Sequence, residues 1–336
     1  MKTTLKDIAR ECQVGLGTVS DILNDNGKYK RETRQKVLEA VERLNYKPRH
    51  RQSLLVQRKT KVLGLVVPNT SAHNSFLNSA IRYFNDQASA SQVESLLYNQ
   101  SDIEQRLADA HSETGNPFPC DGLIFFAPQL GWENLVKKVR DRKIPCVLVR
   151  RSTKLSGVPV INDSDYKGAW LAMEHLFGLG HSRFGLLYYA SRFMDGRKHA
   201  FEAFLKGQGL VYKEEFTYSL YQQDKGPIEQ WLDNVLAAPD APTAFFCFDD
   251  HDALVLINIL REYNIRVPAE IAVVGYDNDP MGRKLHPYLT TVEIPAREMI
   301  TLACKSLLGF LDGGPVASMK IELENKLIIR ESCGAK

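Results

Sequence analysis

The 336-residue sequence lacks the features of membrane proteins, disulfide-rich secreted proteins and metal-binding proteins. No apolar run approaches the roughly 20 residues that a membrane-spanning helix needs. The polar start MKTTLKDIAR also differs from the apolar core of a signal peptide. The six cysteines are scattered without a Cys-x-x-Cys spacing, which argues against a metal site and against a disulfide framework. We therefore expect a cytoplasmic protein with buried thiols and with no metal or cofactor.

The short motifs of common enzymes built on α/β sheets are also missing. There is no nucleophile elbow, no P-loop and no dinucleotide-binding fingerprint. The segment 249–252, Asp-Asp-His-Asp, makes no convincing catalytic set, because adjacent residues at a strand end point in different directions. We therefore predict that the protein is not an enzyme, and keep a sugar-modifying enzyme as a rival hypothesis. A solute-binding receptor is the second rival, and it would need an export signal.

Charge is divided unequally along the chain. Residues 1–61 carry a net charge of +8, and the remaining residues carry a net charge of −5. A basic end attached to an acidic body is expected when that end contacts phosphates.

Residues 4–46 have the pattern of a small three-helix domain. Helices are predicted from Thr4 to about Glu11, over 16–24 and from about 32 to 44. Thr4 and Asp7 resemble a capping box at the first helix. Apolar residues at helical spacing supply one compact core, namely Leu5, Ile8, Ala9, Val14, Val19, Ile22, Leu23, Val37, Val41 and Leu44.

This core leaves Thr18, Ser20 and Asp21 facing outward on the second helix. A recognition helix presents polar groups in this way to the major groove of DNA. A solvated three-helix bundle without a partner is the alternative, and the basic charge disfavours it. A basic connector, residues 47–61, follows.

From Val62 onward, short apolar strands alternate with amphipathic helices. Regular alternation of this kind predicts parallel sheets that are covered by helices on both faces. About ten strands fit two doubly wound halves better than they fit a single sheet.

Motifs in a fixed order along the whole chain resemble the LacI/GalR (lactose-repressor) family of bacterial transcription regulators. These motifs are LKDIA, VGLGTVSDILN, TRQKVLEAVERLNYKP, LGLVVP, DGLIFFAP, IPCVLV, EHLFGLGHSRFGLL, PTAFFCFDD, VPAEIAVVGYDND, PYLTTV and LIIRES. The resemblance implies an N-terminal helix-turn-helix domain, a hinge and an α/β periplasmic-binding-protein-like domain of two doubly wound parallel-sheet subdomains. The implied limits are 1–47 for the DNA-binding domain, 48–61 for the hinge, 62–161 with 294–320 for the first subdomain, and 162–293 with 321–336 for the second.

The resemblance also implies which headpiece residues touch DNA. Leu16, Gly17 and Asp21 are expected to contact base edges. Phosphates or sugars are expected at Thr18, Ser20, Asn24 and Thr33, with Lys28 and Lys30 adding charge nearby. Leu16 suits a thymine methyl group, and Asp21 can accept a hydrogen bond from cytosine N4. Alternatively, Asp21 pairs with a nearby lysine or arginine.

Leu55 aligns with the family's hinge leucine, which wedges into the minor groove at the centre of the operator. Arg51 and Gln52 replace the small apolar pair that usually precedes it. Either the hinge helix is less stable here or its contacts are shifted to Leu54. A solvated basic linker is the alternative.

For the effector, the resemblance implies a cleft between the subdomains. The matching residues are His73, Phe76, Asp163, Arg197, Phe248 and Asp250. A guanidinium suits a hydroxyl-rich or carboxylate ligand, because it donates several hydrogen bonds in a fixed geometry. Asp277 is expected either to cap a turn or to bind the ligand.

Together these features predict a regulator, with repression as the expected output, whose operator affinity is controlled by a sugar or a related polar metabolite. A homodimer would place one headpiece on each half of a palindromic duplex. A dimer is favoured over a tetramer because no leucine-rich heptad tail follows the last motif.

Overall fold

The computed structural model describes residues 4–23, 29–44, 60–69, 75–110, 115–128, 131–151, 153, 155–188, 195–219, 227–314 and 319–335. The chain divides into two compact units, Met1–Thr60 and Lys61–Lys336. We call the first the headpiece and the second the C-terminal unit. Within the described residues, every helix is too short or too polar to traverse a bilayer.

The headpiece contains the three helices expected from its apolar pattern. They are α1 (Leu5–Cys12), α2 (Leu16–Leu23) and α3 (Arg31–Arg43). The Asp7 carboxylate accepts hydrogen bonds from the backbone nitrogen and the hydroxyl of Thr4, at 2.8 and 2.6 Å. Gln13 ends α1 in the left-handed conformation, with φ of 54°. The tight turn that follows brings α2 against α1.

The headpiece core lies where the three helices meet. Ile8, Val19 and Val37 are fully buried at its centre. Ala9, Ile22, Leu23 and Val41 are also buried, whereas Leu5, Val14 and Leu44 are partly buried at its edge. The helical spacing therefore predicted the buried face correctly.

In the described part of the C-terminal unit, twelve strands form two six-stranded sheets. The first sheet has the order β2 (Glu94–Asn99), β1 (Val62–Val67), β3 (Gly122–Phe126), β4 (Cys146–Val149), β5 (Val160–Asp163) and β11 (Lys320–Leu323). The second has the order β7 (Thr217–Ser219), β6 (Phe184–Tyr188), β8 (Ala244–Cys247), β9 (Ala272–Tyr276), β10 (Thr290–Glu293) and β12 (Lys326–Ile328). All neighbouring strands run parallel except β10 and β12.

Helices cover both faces of each sheet. Those of the first sheet are α4 (Ser75–Ala90), α5 (Gln100–Ala108), α6 (Trp132–Asp141) and α11 (Ala296–Leu311). Those of the second sheet are α7 (Asp165–Gly178), α8 (Asp195–Gly207), α9 (Ile228–Leu236) and α10 (Asp250–Glu262). This is the two-sheet α/β architecture expected from the alternating pattern.

The chain passes between the sheets three times: after β5, after β10, and between β11 and β12. In β11, Ile321 pairs with Ile161 and Leu323 pairs with Asp163. The first sheet therefore extends two residues past the implied limit at 161 and three residues past the limit at 320. The carboxyl ends of parallel strands, where such sheets bind ligands, include the ends of β4, β5, β8 and β9.

Candidate functional site

The outward face of α2 carries the residues that sequence reasoning placed against base edges. The Leu16 side chain is 45% exposed, and Gly17 is exposed beside it. A Cβ atom added to Gly17 would meet nothing within 4 Å. Headpiece packing therefore does not require glycine at this position.

Asp21 is half-buried on the same face, and its carboxylate oxygen Oδ2 accepts a hydrogen bond of 2.7 Å from the hydroxyl of Tyr29. Thr18 lies one helical turn before Asp21 on α2, on the same face. Sequence reasoning missed Tyr29, because only the fold brings it back to α2.

The remaining predicted DNA contacts fall into two groups. Thr18, Ser20 and Thr33 are half-buried, and Lys30 is exposed. Asn24, Lys28 and Leu55 lie outside the described residues, as do Arg51 and Gln52. None of these DNA contacts is tested by the structure, so they stay predictions.

In the C-terminal unit, charged side chains meet where the strands of the two sheets end. Arg197 on α8 is fully buried. Its Nε and Nη2 lie 3.0 and 2.9 Å from Oδ1 of Asp165, and its Nη1 donates to the carbonyl oxygen of Phe248. The guanidinium carbon also lies 3.5 Å from the centre of the Tyr276 ring, a close cation–π contact.

Arg150 approaches the same carboxylate from the first sheet. It directly follows β4, and its Nε and Nη2 donate to Oδ1 of Asp163 and Oδ1 of Asp165, each at 2.9 Å. Asp165 is the first residue of α7, where the Ser164 hydroxyl accepts a hydrogen bond from the Lys167 backbone nitrogen and caps the helix. One oxygen of Asp165 therefore bonds both Arg150, which follows β4 of the first sheet, and Arg197, which lies on α8 beside the second sheet.

Asp277 completes this group, and we call Arg150, Asp163, Asp165, Arg197 and Asp277 the arginine–aspartate cluster. Asp277 directly follows β9, and its Oδ1 lies 3.6 Å from Nη2 of Arg197. Both Arg150 and Asp277 have positive backbone φ angles, 59° and 105°. Residues other than glycine rarely adopt positive φ angles, and residues that do so occur preferentially at functional sites.

Burial and ion pairing set the protonation states of the cluster. Burial opposes ionisation of Asp165, yet Arg197 and Arg150 together hold the pKa of its carboxyl below the ordinary value. Burial raises the pKa of Asp277 to about 7, against the attraction of Arg197. Near neutral pH, Asp277 can therefore act either as an acceptor or as a protonated donor.

Three buried atoms of the cluster have no hydrogen-bond partner among the described residues. They are Nη2 of Arg197, Oδ2 of Asp163 and Oδ1 of Asp277. Buried polar atoms normally have a partner. Nη2 of Arg197 is ion-paired with Oδ1 of Asp165 at 2.9 Å, so the two acceptors, Oδ2 of Asp163 and Oδ1 of Asp277, are the atoms that mark a place where a polar ligand would bind.

Phe76 and Phe248 lie at the cluster in different ways. The Phe76 ring is half-buried and lies 4.9 Å from the guanidinium carbon of Arg150. The Phe248 side chain is buried against Tyr188 and Phe246, so its carbonyl oxygen, rather than its ring, meets Arg197.

Asp250, predicted as a ligand contact, is buried behind the strand ends. Its Oδ1 accepts from the Thr291 hydroxyl and its Oδ2 from the Asp279 backbone nitrogen, each at 2.5 Å. Burial raises the pKa of Asp250 well above its ordinary value. Its contact with a ligand, like that of Phe76, Asp163, Arg197 and Phe248, stays a prediction. His73 lies outside the described residues.

A cavity of about 670 Å³ adjoins the cluster. Phe76 and Asp277 line it, together with residues 293–298 and side chains of α4 and α11. This volume falls within the roughly 300–1,000 Å³ of typical small-molecule sites.

Comparison with known families matches both units. Residues 4–49 match the model of the lacI family of bacterial regulatory proteins, and residues 173–333 match a periplasmic binding protein-like domain. Both matches agree with the helices and sheets described above.

The chain belongs to the LacI family. Among its curated relatives is a probable HTH-type transcriptional repressor, ExuR, of Bacillus subtilis (strain 168), which is 27% identical and covers 98% of both chains. Catabolite control protein A of Priestia megaterium is 26% identical and covers 99% of both.

Solved structures share the fold of this LacI-family protein. The lac repressor dimer bound to operator and the anti-inducer ONPF is 22% identical, with a TM-score of 0.67, and covers all of both chains. A complex of the transcriptional regulator CelR with cellobiose is 23% identical, with the same TM-score, and covers 98% of this chain and 100% of the other.

Sequence reasoning about this LacI-family protein missed Arg150 and Asp165, the centre of the cluster. Both are charged residues that come directly after, or within two residues of, the end of an apolar strand. That position is the signal that could have identified them, because such strand ends converge at one edge of a sheet.

Proposed function

We propose that this LacI-family protein is a sequence-specific DNA-binding transcriptional regulator, acting as a repressor, whose operator affinity is set by a small polar molecule bound between its two sheets. The observation that carries the proposal is the presence in one chain of a helix with an exposed reading face and a polar cluster with open hydrogen-bonding atoms. A DNA-binding regulator works where the chromosome lies, so the proposal includes a cytoplasmic location. The relatives and neighbours named above are regulators, which makes an enzyme the weaker hypothesis.

The chemistry of the cluster favours a hydroxyl-rich effector. Nη2 of Arg197 can only donate, whereas Oδ2 of Asp163 accepts, and Asp277 can do either near neutral pH. A hydroxyl group both donates and accepts, so a sugar or similar polyol could bond to the open oxygens of Asp163 and Asp277 and compete with Asp165 for Nη2 of Arg197. Two structural neighbours, the transcriptional regulator CelR in complex with cellobiose and a LacI family regulator from Enterococcus faecium with bound ribose, hold ligands of the same chemical class.

The cluster also offers a route from effector to operator. The shared oxygen of Asp165 joins Arg150 of the first sheet to Arg197 of the second, so a ligand that competes for these groups favours a different angle between the sheets. In a homodimer, that angle would set how many molecules are competent to place both headpieces on a palindromic duplex. By linkage, operator binding must then alter effector affinity by the same factor.

The test of this proposal is selection from randomised duplexes followed by binding measurements with the full chain. We expect a palindromic consensus bound with nanomolar affinity, and a steep loss of affinity with salt as phosphate contacts release counterions. A thermal-shift screen of sugars, sugar phosphates, nucleosides and purines should then find a ligand that changes operator affinity by about 5- to 150-fold.

A shuffled duplex of the same composition is the control. We expect it to bind with lower affinity than the consensus duplex, and its affinity should also fall as the salt concentration rises. The DNA-binding half of the proposal is wrong if the selection yields no preferred sequence. The effector half is wrong if no member of the screen both raises the melting temperature and changes operator affinity.

A further inference from the structure

The hydroxyl of Tyr29 forms a hydrogen bond on the reading face of the headpiece, the outward face of α2. It donates to Oδ2 of Asp21 at 2.7 Å. Thr18 and Asp21 are three residues apart on α2, so they share one face of the helix. Tyr29 itself lies beyond the end of α2, just before α3, and is 37% exposed.

The hydrogen bond from Tyr29 restricts the rotation of the Asp21 carboxylate. The carboxylate of an aspartate without a partner rotates, and fixing it when DNA binds costs conformational entropy. In the headpiece, Tyr29 already holds one oxygen of the carboxylate before DNA arrives. Among the described residues, the other oxygen, Oδ1, has no hydrogen-bond partner, so it can accept a hydrogen bond in a fixed direction.

An ionised carboxylate has only acceptors, which decides the base that it can read. Guanine presents acceptors at N7 and O6 in the major groove, and thymine presents O4, so both would repel Oδ1. Adenine presents a donor, N6, next to an acceptor, N7, and this combination suits an amide side chain, which donates and accepts at the same time. Cytosine presents its N4 amino group and is the base that a carboxylate suits best.

We infer that Tyr29 is a specificity-determining positioning residue, which holds Asp21 so that its second carboxylate oxygen accepts a hydrogen bond from cytosine N4 in each half-site. The inference rests on the proposed function as a sequence-specific DNA-binding protein. It assigns Tyr29 no contact with DNA, because its effect is exerted through Asp21.

The test compares duplex selection by the full-length wild type, Tyr29→Phe and Asp21→Asn. We expect the wild type to select cytosine at one position of each half-site. Asp21→Asn should replace that preference by adenine, because an amide can bond adenine bidentately. Tyr29→Phe should retain the rest of the consensus but discriminate for cytosine about five- to twentyfold less, because the carboxylate is no longer held.

Two measurements separate positioning from a general structural role. The slope of affinity against salt concentration should be unchanged in Tyr29→Phe, since no phosphate contact is removed. Tyr212→Phe is the matched control, because it removes a hydrogen bond from a tyrosine hydroxyl to a carboxylate, that of Glu214, in the C-terminal unit. It should leave every position of the consensus unchanged.

A cytosine preference that Tyr29→Phe leaves at the wild-type level overturns the inference, whatever the effect of Asp21→Asn, and leaves the proposed function in place. A uniform loss of affinity at all positions in Tyr29→Phe also overturns it, because that pattern indicates damage to the headpiece. A wild type with no preferred sequence overturns the proposed function and this inference together.

Discussion

Replacing Arg197 with leucine is expected to lower the free energy of unfolding of the C-terminal unit by about 3–5 kcal/mol at neutral pH. The buried guanidinium contacts the carboxylate of Asp165, the carbonyl of Phe248 and the ring of Tyr276. Leucine would occupy part of the volume but would leave Asp165 with one arginine and the Phe248 carbonyl without its donor. A buried charge without compensation is what makes the loss of one partner so costly.

The double variant Arg197→Leu with Asp165→Asn is the matched control. It removes the Asp165 carboxylate, which the single variant leaves with only Arg150 as a partner, together with Arg197, while Arg150 keeps its contact with Asp163. We expect the double variant to be more stable than the single one, as measured by urea denaturation at pH 7. A loss below about 1 kcal/mol in the single variant, which is the scale of an exposed ion pair, would contradict the structural role of Arg197.

The second large effect concerns Asp252, a fully buried residue in the first turn of α10. Neither of its carboxylate oxygens has a hydrogen-bond partner among the described residues. Burial first, and then the neighbouring charges of Asp249 and Asp277, raise its pKa from 3.8 to about 8. The folded protein therefore keeps this proton at pH values at which the unfolded chain has lost it.

The sign of the pH dependence follows from the proton count. Between about pH 4 and pH 8 the unfolded state binds fewer protons at this site, so the contribution of Asp252 to stability falls as the pH rises. Asp252→Asn cannot ionise. We expect it to be more stable than the wild type by an amount that grows over this range, on the order of 2–5 kcal/mol at pH 8.

Urea denaturation of both proteins at several pH values between 4 and 9 measures this difference. Asp240→Asn is a control of opposite sign, because the hydrogen bond from Lys213 lowers the pKa of Asp240. That variant should be less stable than the wild type at neutral pH, and the gap should close as the pH falls through the lowered pKa. A stability difference for Asp252→Asn that does not vary with pH would show that Asp252 does not keep its proton in the folded state.

Sequence patterns predicted well those elements whose stability is local. The spacing of apolar residues such as Ile8, Val19 and Val37 predicted the three headpiece helices and their buried faces. Apolar runs such as 62–67 and 244–247 predicted buried strands, because a strand covered on both faces has to be apolar throughout. The short strands β7, β11 and β12 have little local signal and depend on a neighbour to form.

The candidate site was predicted less completely. The family resemblance placed Arg197 and Asp163 in the cleft, and the structure connects them through Arg150 and Asp165. Arg150 donates to both Asp163 and Asp165, and Arg197 donates to Asp165. It also shows that all three nitrogens of Arg197 face protein acceptors, with Nη2 ion-paired to Asp165, whereas sequence reasoning had offered the whole guanidinium to a ligand. Which donors are already used depends on atoms that are distant along the chain.

The sequence by itself determined the basic headpiece, the alternation of strands and helices, and the family, because these follow from local spacing, composition and motif order. Only the tertiary structure decided that Tyr29 reaches Asp21 and that Arg150 and Arg197 share Asp165. The physical reason is that hydrogen bonds and ion pairs act over about 3 Å, and only packing sets which side chains come that close.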